Sequence, residues 1–550
     1  MNATNSSPRQ ERVYALLAGI ISVSFWVATQ VYWAPVTRGG DRNGYLLGGR
    51  MLAEGHIRGI TPADPYIYLG PHWITAAPGI YQLKYPLGLP AIYAVIHWIF
   101  GDSNWSVVAH QISPAAAALG VWGSFILMRP VVGALHAMLG TLLLATSPLT
   151  FFFANLPNSH ATAFCVAVWG MTLLLKWWRE GKAWMGVSAA VLLGFNFTVR
   201  YTEGLLVLPL LLVIGYTVWR DRRAWRQGLL MLIAWVVPVA SLIVFNLLVL
   251  KHASGYSLTH ESTAFSFGNI AAHGREMIGQ LYQNGIWFLL PVSVIGGAWM
   301  FRRDWRMAAV LCVWAAPTIL VYTAYYWTPT DEPGLSYARF TLTVLPALVV
   351  MAMWLFQQLP TALNAAAIAL VFVVAIADGR SAAARAGALQ QDNLACGAML
   401  EQINAHIPVG AAIYTQQAYI PMLEVAGDWR LYLDTQFTAR YVRSYGATGS
   451  ISAGILQPER AAALNRLLGN QNDRELAADQ SFLISDAIAH GRRVFAVLPV
   501  EPGERFRRRY VDGRGLRSQS ISSWDMISPG ANPTSPSGST IMQLVEIVAD

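Results

Sequence analysis

Long apolar runs separated by short polar turns fill the first two thirds of the chain. A helix needs about 20 consecutive apolar residues to cross a bilayer. Such runs occur at 13–33, 105–128, 132–150, 160–178, 184–199, 201–219, 226–250, 285–301, 307–327, 340–357 and 361–378. The pattern predicts about eleven transmembrane helices. Beyond residue 378 the pattern changes. Ala411–Thr415, Arg430–Leu433, Arg493–Val500 and Ile541–Val548 are short β-branched and apolar runs that predict strands. Ala418–Ala426 and Pro458–Gly469 read as helices, and Ser528–Ser539 as a Pro/Gly/Ser loop. The chain therefore divides into a helical membrane domain, 1–378, and an α/β domain, 379–550.

Composition narrows this further. The 550 residues are 55% hydrophobic and only 12% charged, where soluble domains carry about 25% charge. Disorder, collagen, a coiled coil and a disulfide scaffold are excluded, and a polytopic α-helical membrane protein remains. Cys165, Cys312 and Cys396 form neither a disulfide framework nor a CxxC site. The net charge is +8, yet from Arg380 onward 16 Arg balance 16 acidic residues. The surplus lies in the membrane part, where it marks topology, and no nucleic-acid partner is expected.

Three short basic turns set the orientation: Lys176, Arg179 and Lys182; Arg220, Arg222, Arg223 and Arg226; Arg302, Arg303 and Arg306. Such turns face the cytoplasm. If the apolar stretch Tyr85–Gly101 crossed, every later basic turn would move outside, so it is expected to be re-entrant or interfacial. The N-terminus is then cytoplasmic and the C-terminal domain extracytoplasmic. Residues 34–85, 151–159, 251–284 and 328–339 become external segments.

The first external segment holds the chemistry. It reads Arg38-Gly39-Gly40-Asp41-Arg42-Asn43-Gly44-Tyr45, then an amphipathic stretch to Glu54-Gly55, then Lys84-Tyr85-Pro86-Leu87-Gly88 at the return to the membrane. Later come Asn196-Phe197-Thr198-Val199-Arg200-Tyr201-Thr202-Glu203 and Tyr337-Ala338-Arg339-Phe340, followed by Leu345-Pro346. In order and in side of the membrane, these motifs resemble the GT-C superfamily of integral-membrane glycosyltransferases over residues 10–378. The resemblance is to the bacterial branch related to dolichyl-phosphate-mannose–protein mannosyltransferases and the lipid A aminoarabinose transferase.

The resemblance implies a polyprenyl-phosphate-sugar donor in the bilayer, a glycan, lipid or protein acceptor, and a bacterial inner or cell membrane location. It makes Asp41 the catalytic base that takes the acceptor's proton. Lys84, Arg200 and Arg339 become the cations on the donor phosphate, where negative charge develops. Tyr45, His160, His260 and Glu261 are candidates for binding substrate or metal. Many relatives have an acid in the second external loop. Here Asn155-Leu156-Pro157-Asn158-Ser159-His160 has none. Either His160 replaces the acid at a divalent metal, or the reaction uses no metal. Each residue also has a plainer reading: Asp41 as a turn former, Lys84 and Arg339 as interfacial anchors, Arg200 and Glu203 as a structural ion pair, His160 as a helix start. A transporter or lipid flippase and a non-catalytic envelope assembly protein are the competing functions. A transporter calls for ionisable groups near mid-bilayer, whereas here the charges crowd the ends of the apolar runs.

Overall fold

The computed structural model describes residues 7–37, 39–61, 73–77, 80–255, 266–286, 289–324, 335–415, 423, 425, 430–433, 473–527 and 539–550. Among them, eight helices are long and apolar enough to cross a membrane, or nine if the bent pair Gly274–Asn284 and Leu289–Arg303 makes one span. The expected runs map onto these with corrections. The runs 105–128 and 132–150 are separate helices on either side of Gly133, whose φ of 74° and ψ of 166° break Ile112–Thr146; the second folds back on the first, since a Cβ on Gly140 would lie 2.7 Å from Met128 Sδ. Gly101, at φ 69° and ψ 174°, likewise breaks Gly88–His110 into two helices, so the start of the 105–128 run lies on a helix separate from the one that Gly88 opens. The 184–199 run forms Ala183–Val199, which at 17 residues is short for a span. The 285–301 run is Leu289–Arg303, set at 102° to the helix before it.

Local chemistry explains the ends of the first helix, Pro8–Val31. Ser7 and Gln10 form a reciprocal capping box, and Pro8 takes the first helical position, where no N–H is needed. Its Ala18, Ser22, Phe25 and Thr29 form one buried stripe, while Ile20, Val23, Val27 and Val31 stay exposed on other faces. A helix that is apolar all round with one packed stripe suits a lipid-facing position. The span Arg339–Gln357 is the opposite case: with 83% of its apolar window buried, it is the most enclosed of the described spans.

The basic turns gather at one end of the bundle. Arg179 interacts electrostatically with Asp304, and the Arg306 guanidinium lies 5.0 Å from the centre of the Tyr216 ring. The same helices carry the candidate residues at their other ends. His160 opens Ser159–Glu180, Arg200 closes Ala183–Val199, and Arg339 starts the turn into Leu345–Gln357.

A hairpin of β1 (Trp73–Ala77) and β2 (Ile80–Leu83) precedes Lys84. The C-terminal region holds β3 (Ala412–Thr415), β4 (Arg430–Leu433), β5 (Val494–Pro499), β6 (Leu516–Ile527) and β7 (Ser539–Ala549) in the order β4-β3-β5-β7-β6. β3 pairs in parallel with β4 and β5, and β7 runs antiparallel to β5 and β6. All four expected strands are present, and β6 is an unexpected fifth. The Thr361–His406 helix runs on past residue 378 and packs Met399 and Ile403 on one sheet face. Asp473–Ala489 and Val500–Tyr510 cover the other through Ile484, Phe506 and Tyr510. The segments Ala418–Ala426, Pro458–Gly469 and Ser528–Ser539 lie almost wholly outside the described residues.

One close approach joins the start of Gly88–His110 to the bundle. A Cβ on Gly88 would lie 2.5 Å from Thr198 Oγ1 and 2.6 Å from its carbonyl. Gly88→Ala therefore overpacks the joint and is expected to cost about 1–3 kcal/mol. Thermal unfolding in detergent checks this against Gly215→Ala, whose added methyl meets nothing within 4 Å. Equal melting of the two variants would contradict the packing argument.

Candidate active site

The site begins at the first turn of the Gly40–Ala53 helix. Gly39 turns the chain with φ 123°, a left-handed conformation that a side chain disfavours. Asn43 ties this turn down by donating to Thr37 O at 2.8 Å and Gly39 O at 3.1 Å. Asp41 is thus fixed at a helix N-terminus, where the macrodipole favours its negative charge. The Tyr85 hydroxyl donates to Asp41 Oδ1 at 2.8 Å, and Arg339 Nη2 lies 3.7 Å from Oδ2. Burial among the neighbouring walls raises the Asp41 carboxyl, but Arg339, Lys84, the Tyr85 hydrogen bond and Arg42 outweigh it and hold the carboxyl below the usual range. Its side chain is still 53% exposed, so the carboxylate is ionised and reachable.

Tyr45 stands one turn further along the same helix. Its ring packs 4.5 Å from that of Tyr85, and its hydroxyl donates to Ser159 Oγ at 3.0 Å. Burial pushes the Tyr45 phenol up to about 12, so it remains a donor. Gly44 makes room for Tyr85, since a Cβ there would sit 2.2 Å from the ring. Lys84 lies at the site's edge, with Nζ 5.7 Å from the centre of the Tyr85 ring.

His160 and Arg200 form the floor. Asn158 caps the Ser159–Glu180 helix by accepting from His160 N at 3.2 Å. The helix-start reading of His160 is therefore satisfied, but the ring does more. Its Nδ1 accepts from Arg200 Nη1, and the backbone of Arg339 is a further partner. Arg200 is 7% exposed, donates from Nη2 to Tyr322 Oη at 3.0 Å, and pairs with Glu203 across 3.9 Å. Glu203 also accepts from Thr343 at 3.3 Å, and the Tyr322 hydroxyl passes a hydrogen bond to Thr202. Phe340 joins the two arginines: it stacks on Tyr322 at 4.2 Å, with Arg200 5.4 Å and Arg339 4.9 Å from its ring centre.

Asp41, Tyr45, Lys84, His160, Arg200 and Arg339 thus converge although up to 298 residues separate them. His260 and Glu261 lie outside the described residues. Tyr85, Tyr322, Phe340 and Thr343 complete the site and were not singled out from sequence as site residues. The proximity of Tyr85 to Lys84, and of Phe340 to Arg339, was the signal available. The surroundings of His160 do not fit a metal. Its Nδ1 is engaged by Arg200, and a dication there would face two guanidinium groups. Among the described residues, no three of His, Cys, Asp or Glu cluster as ligands.

Residues 84–248 match the family described as dolichyl-phosphate-mannose-protein mannosyltransferase. A Bacillus subtilis (strain 168) protein described as "Putative mannosyltransferase YycA" is 28% identical over 121 residues, which are 22% of this chain and 17% of that protein. The matched part is thus under a fifth of that relative's length. Among solved structures, ArnT from Cupriavidus metallidurans bound to undecaprenyl phosphate aligns with a TM-score of 0.57 at 15% identity, covering 96% of this chain and 97% of that one. AglB from Archaeoglobus fulgidus, an archaeal oligosaccharyltransferase in complex with an inhibitory peptide and a dolichol-phosphate, aligns with a TM-score of 0.51 at 13% identity, covering 90% and 70%. These likenesses establish the fold: the chain has the GT-C architecture that its motifs resemble.

The buried pair yields a stability prediction. Glu203→Gln leaves Arg200 without its countercharge and is expected to cost about 3–5 kcal/mol. Replacing both, Arg200→Met with Glu203→Leu, removes the uncompensated charge and should restore part of the loss. Detergent-solubilised yield and apparent Tm measure both. A double variant less stable than Glu203→Gln would refute the pairing.

Proposed function

We propose that this chain is an inverting membrane glycosyltransferase that moves a sugar from a polyprenyl-phosphate donor to an extracytoplasmic acceptor. The observation that carries the reading is the arrangement at Asp41: one exposed, ionised carboxylate with Arg339 at 3.7 Å and Lys84 beside it, at the end of the bundle opposite the basic turns. The polyprenyl phosphates bound by ArnT and AglB, which share this fold, support the donor class.

A phosphodiester is already a good leaving group, so the demand falls on the acceptor. Asp41 accepts the hydroxyl proton as the oxygen attacks the anomeric carbon. The C–O bond to phosphate breaks on the far side, which inverts that carbon through an oxocarbenium-like transition state. Lys84 and Arg339 receive the developing negative charge on phosphate. Arg200 adds its charge from the floor, and Tyr45 lines the sugar side. No step needs a metal. By the positive-inside rule the basic turns lie in the cytoplasm. The site and the C-terminal α/β region then face the other side, where the region can meet the acceptor.

Two outcomes follow. Purified protein given undecaprenyl-phosphate sugars releases undecaprenyl phosphate, and Asp41→Asn slows this by about a hundredfold or more. No turnover of any hexosyl or pentosyl donor by the wild type, or full activity in Asp41→Asn, would sink the reading. A chelator such as EDTA leaves turnover unchanged, and loss of activity restored by added divalent metal would reverse the metal-free assignment.

A further inference from the structure

The Asp41 carboxylate has two partners of different kinds, one on each oxygen. Tyr85 donates a neutral hydrogen bond to Oδ1 at 2.8 Å, whereas the Arg339 guanidinium approaches Oδ2 across 3.7 Å. The second separation is that of a loose ion pair, longer than a charge-assisted hydrogen bond of about 2.7–2.9 Å. A phosphate entering beside Lys84 and Arg339 offers an anion that a guanidinium can grip with two donors. Tyr85 has no comparable reason to leave. Its ring is held in the notch at Gly44, where a Cβ would lie 2.2 Å away, and packs 4.5 Å from Tyr45.

We propose that Tyr85 is the positioning residue for Asp41: when the donor phosphate draws Arg339 off, Tyr85 keeps Oδ1 fixed and Oδ2 becomes the atom that accepts the acceptor's proton. The inference rests on the glycosyl-transfer reading. The balance is complete: the acceptor O–H proton moves to Oδ2, the acceptor oxygen bonds the anomeric carbon, and the electron pair of the broken C–O bond leaves with the phosphate. The exchange also adjusts basicity. In the resting site, Arg339, Lys84, Arg42 and the Tyr85 hydroxyl all favour the carboxylate, opposed by burial, and Tyr45 also interacts with it among the described residues. Engaging Arg339 with phosphate removes part of that stabilisation and makes Asp41 a stronger base at the moment it is needed.

Tyr85→Phe deletes one oxygen and keeps the packed ring. Its turnover of undecaprenyl-phosphate sugars is expected to fall about tenfold in kcat, with KM for the donor within about twofold. Losing a hydrogen bond to the charged form raises the Asp41 pKa, so the acid limb of the kcat–pH profile moves to higher pH. Infrared titration gives a readout that needs no turnover. The Asp41 bands are isolated by subtracting the Asp41→Asn spectrum. Their midpoint is expected at higher pH in Tyr85→Phe than in the wild type, and higher in the wild type when undecaprenyl phosphate is added. Coincident midpoints and kcat profiles in wild type and Tyr85→Phe overturn the assignment. Absence of turnover in the wild type, with the infrared shift intact, instead condemns the glycosyl-transfer reading while leaving Tyr85 as the anchor of Asp41.

Discussion

A guanidinium placed where water does not reach organises this site. Arg200 is 7% exposed, and an unpaired charge at such a position costs several kcal/mol. It is stable because separate elements supply its partners: Glu203 from the turn that follows it, Tyr322 from the end of Trp305–Thr323, and His160 from the start of Ser159–Glu180. Each partner carries a second bond outward, Glu203 to Thr343 and Tyr322 to Thr202. Once these helix ends are registered against Arg200, Phe340 is confined against Tyr322. Its neighbour Arg339 then points toward the Gly40–Ala53 helix, where Asp41 waits. The exposed chemistry is thus located by buried electrostatics.

Burial also separates the roles of the three cations. Arg200 is already committed to Glu203, Tyr322 and His160, and any ligand would have to displace these bonds. Arg339 holds Asp41 only across 3.7 Å, and Lys84 lies partly exposed at the rim. The Arg339 contact with Asp41 is thus looser than the bonds that hold Arg200. The same logic bears on His160. Its Nδ1 is engaged by Arg200, and the two guanidinium groups beside the ring oppose a cation there.

Most of the membrane spans were legible because hydropathy over twenty residues integrates a strong signal. Hydropathy does not mark where a helix bends or continues. The Ala-rich sequence after 378 keeps helical propensity to His406 after losing its apolar character. β6 was missed because Ser518, Ser520, Ser522 and Ser523 dilute its apolar content, leaving Ile521 and Trp524 to pack toward the sheet's core. At the site, Asp41, Lys84, Arg200 and Arg339 could be picked out because charge at the end of an apolar run is conspicuous. Tyr85, Tyr322 and Phe340 could not. Aromatic residues abound near membrane interfaces, and which of them matter depends on contacts such as Tyr322 with Thr202, 120 positions apart.

On the proposed reaction, the pairing of a phenol with a guanidinium around one carboxylate would answer a conflict built into chemistry at a lipid headgroup. Positive charge must collect there to hold a phosphate, yet every cation nearby stabilises the carboxylate and weakens it as a base. Holding Asp41 by cations alone would leave it either locked in the resting site or unrestrained once the phosphate took them. A neutral donor escapes this choice, because it fixes direction with far less effect on charge. The Tyr85 bond at 2.8 Å and the Arg339 contact at 3.7 Å divide the two tasks between the two carboxylate oxygens. The first task, orientation, is permanent; the second, neutralisation, is suited to be given up when a stronger anion arrives.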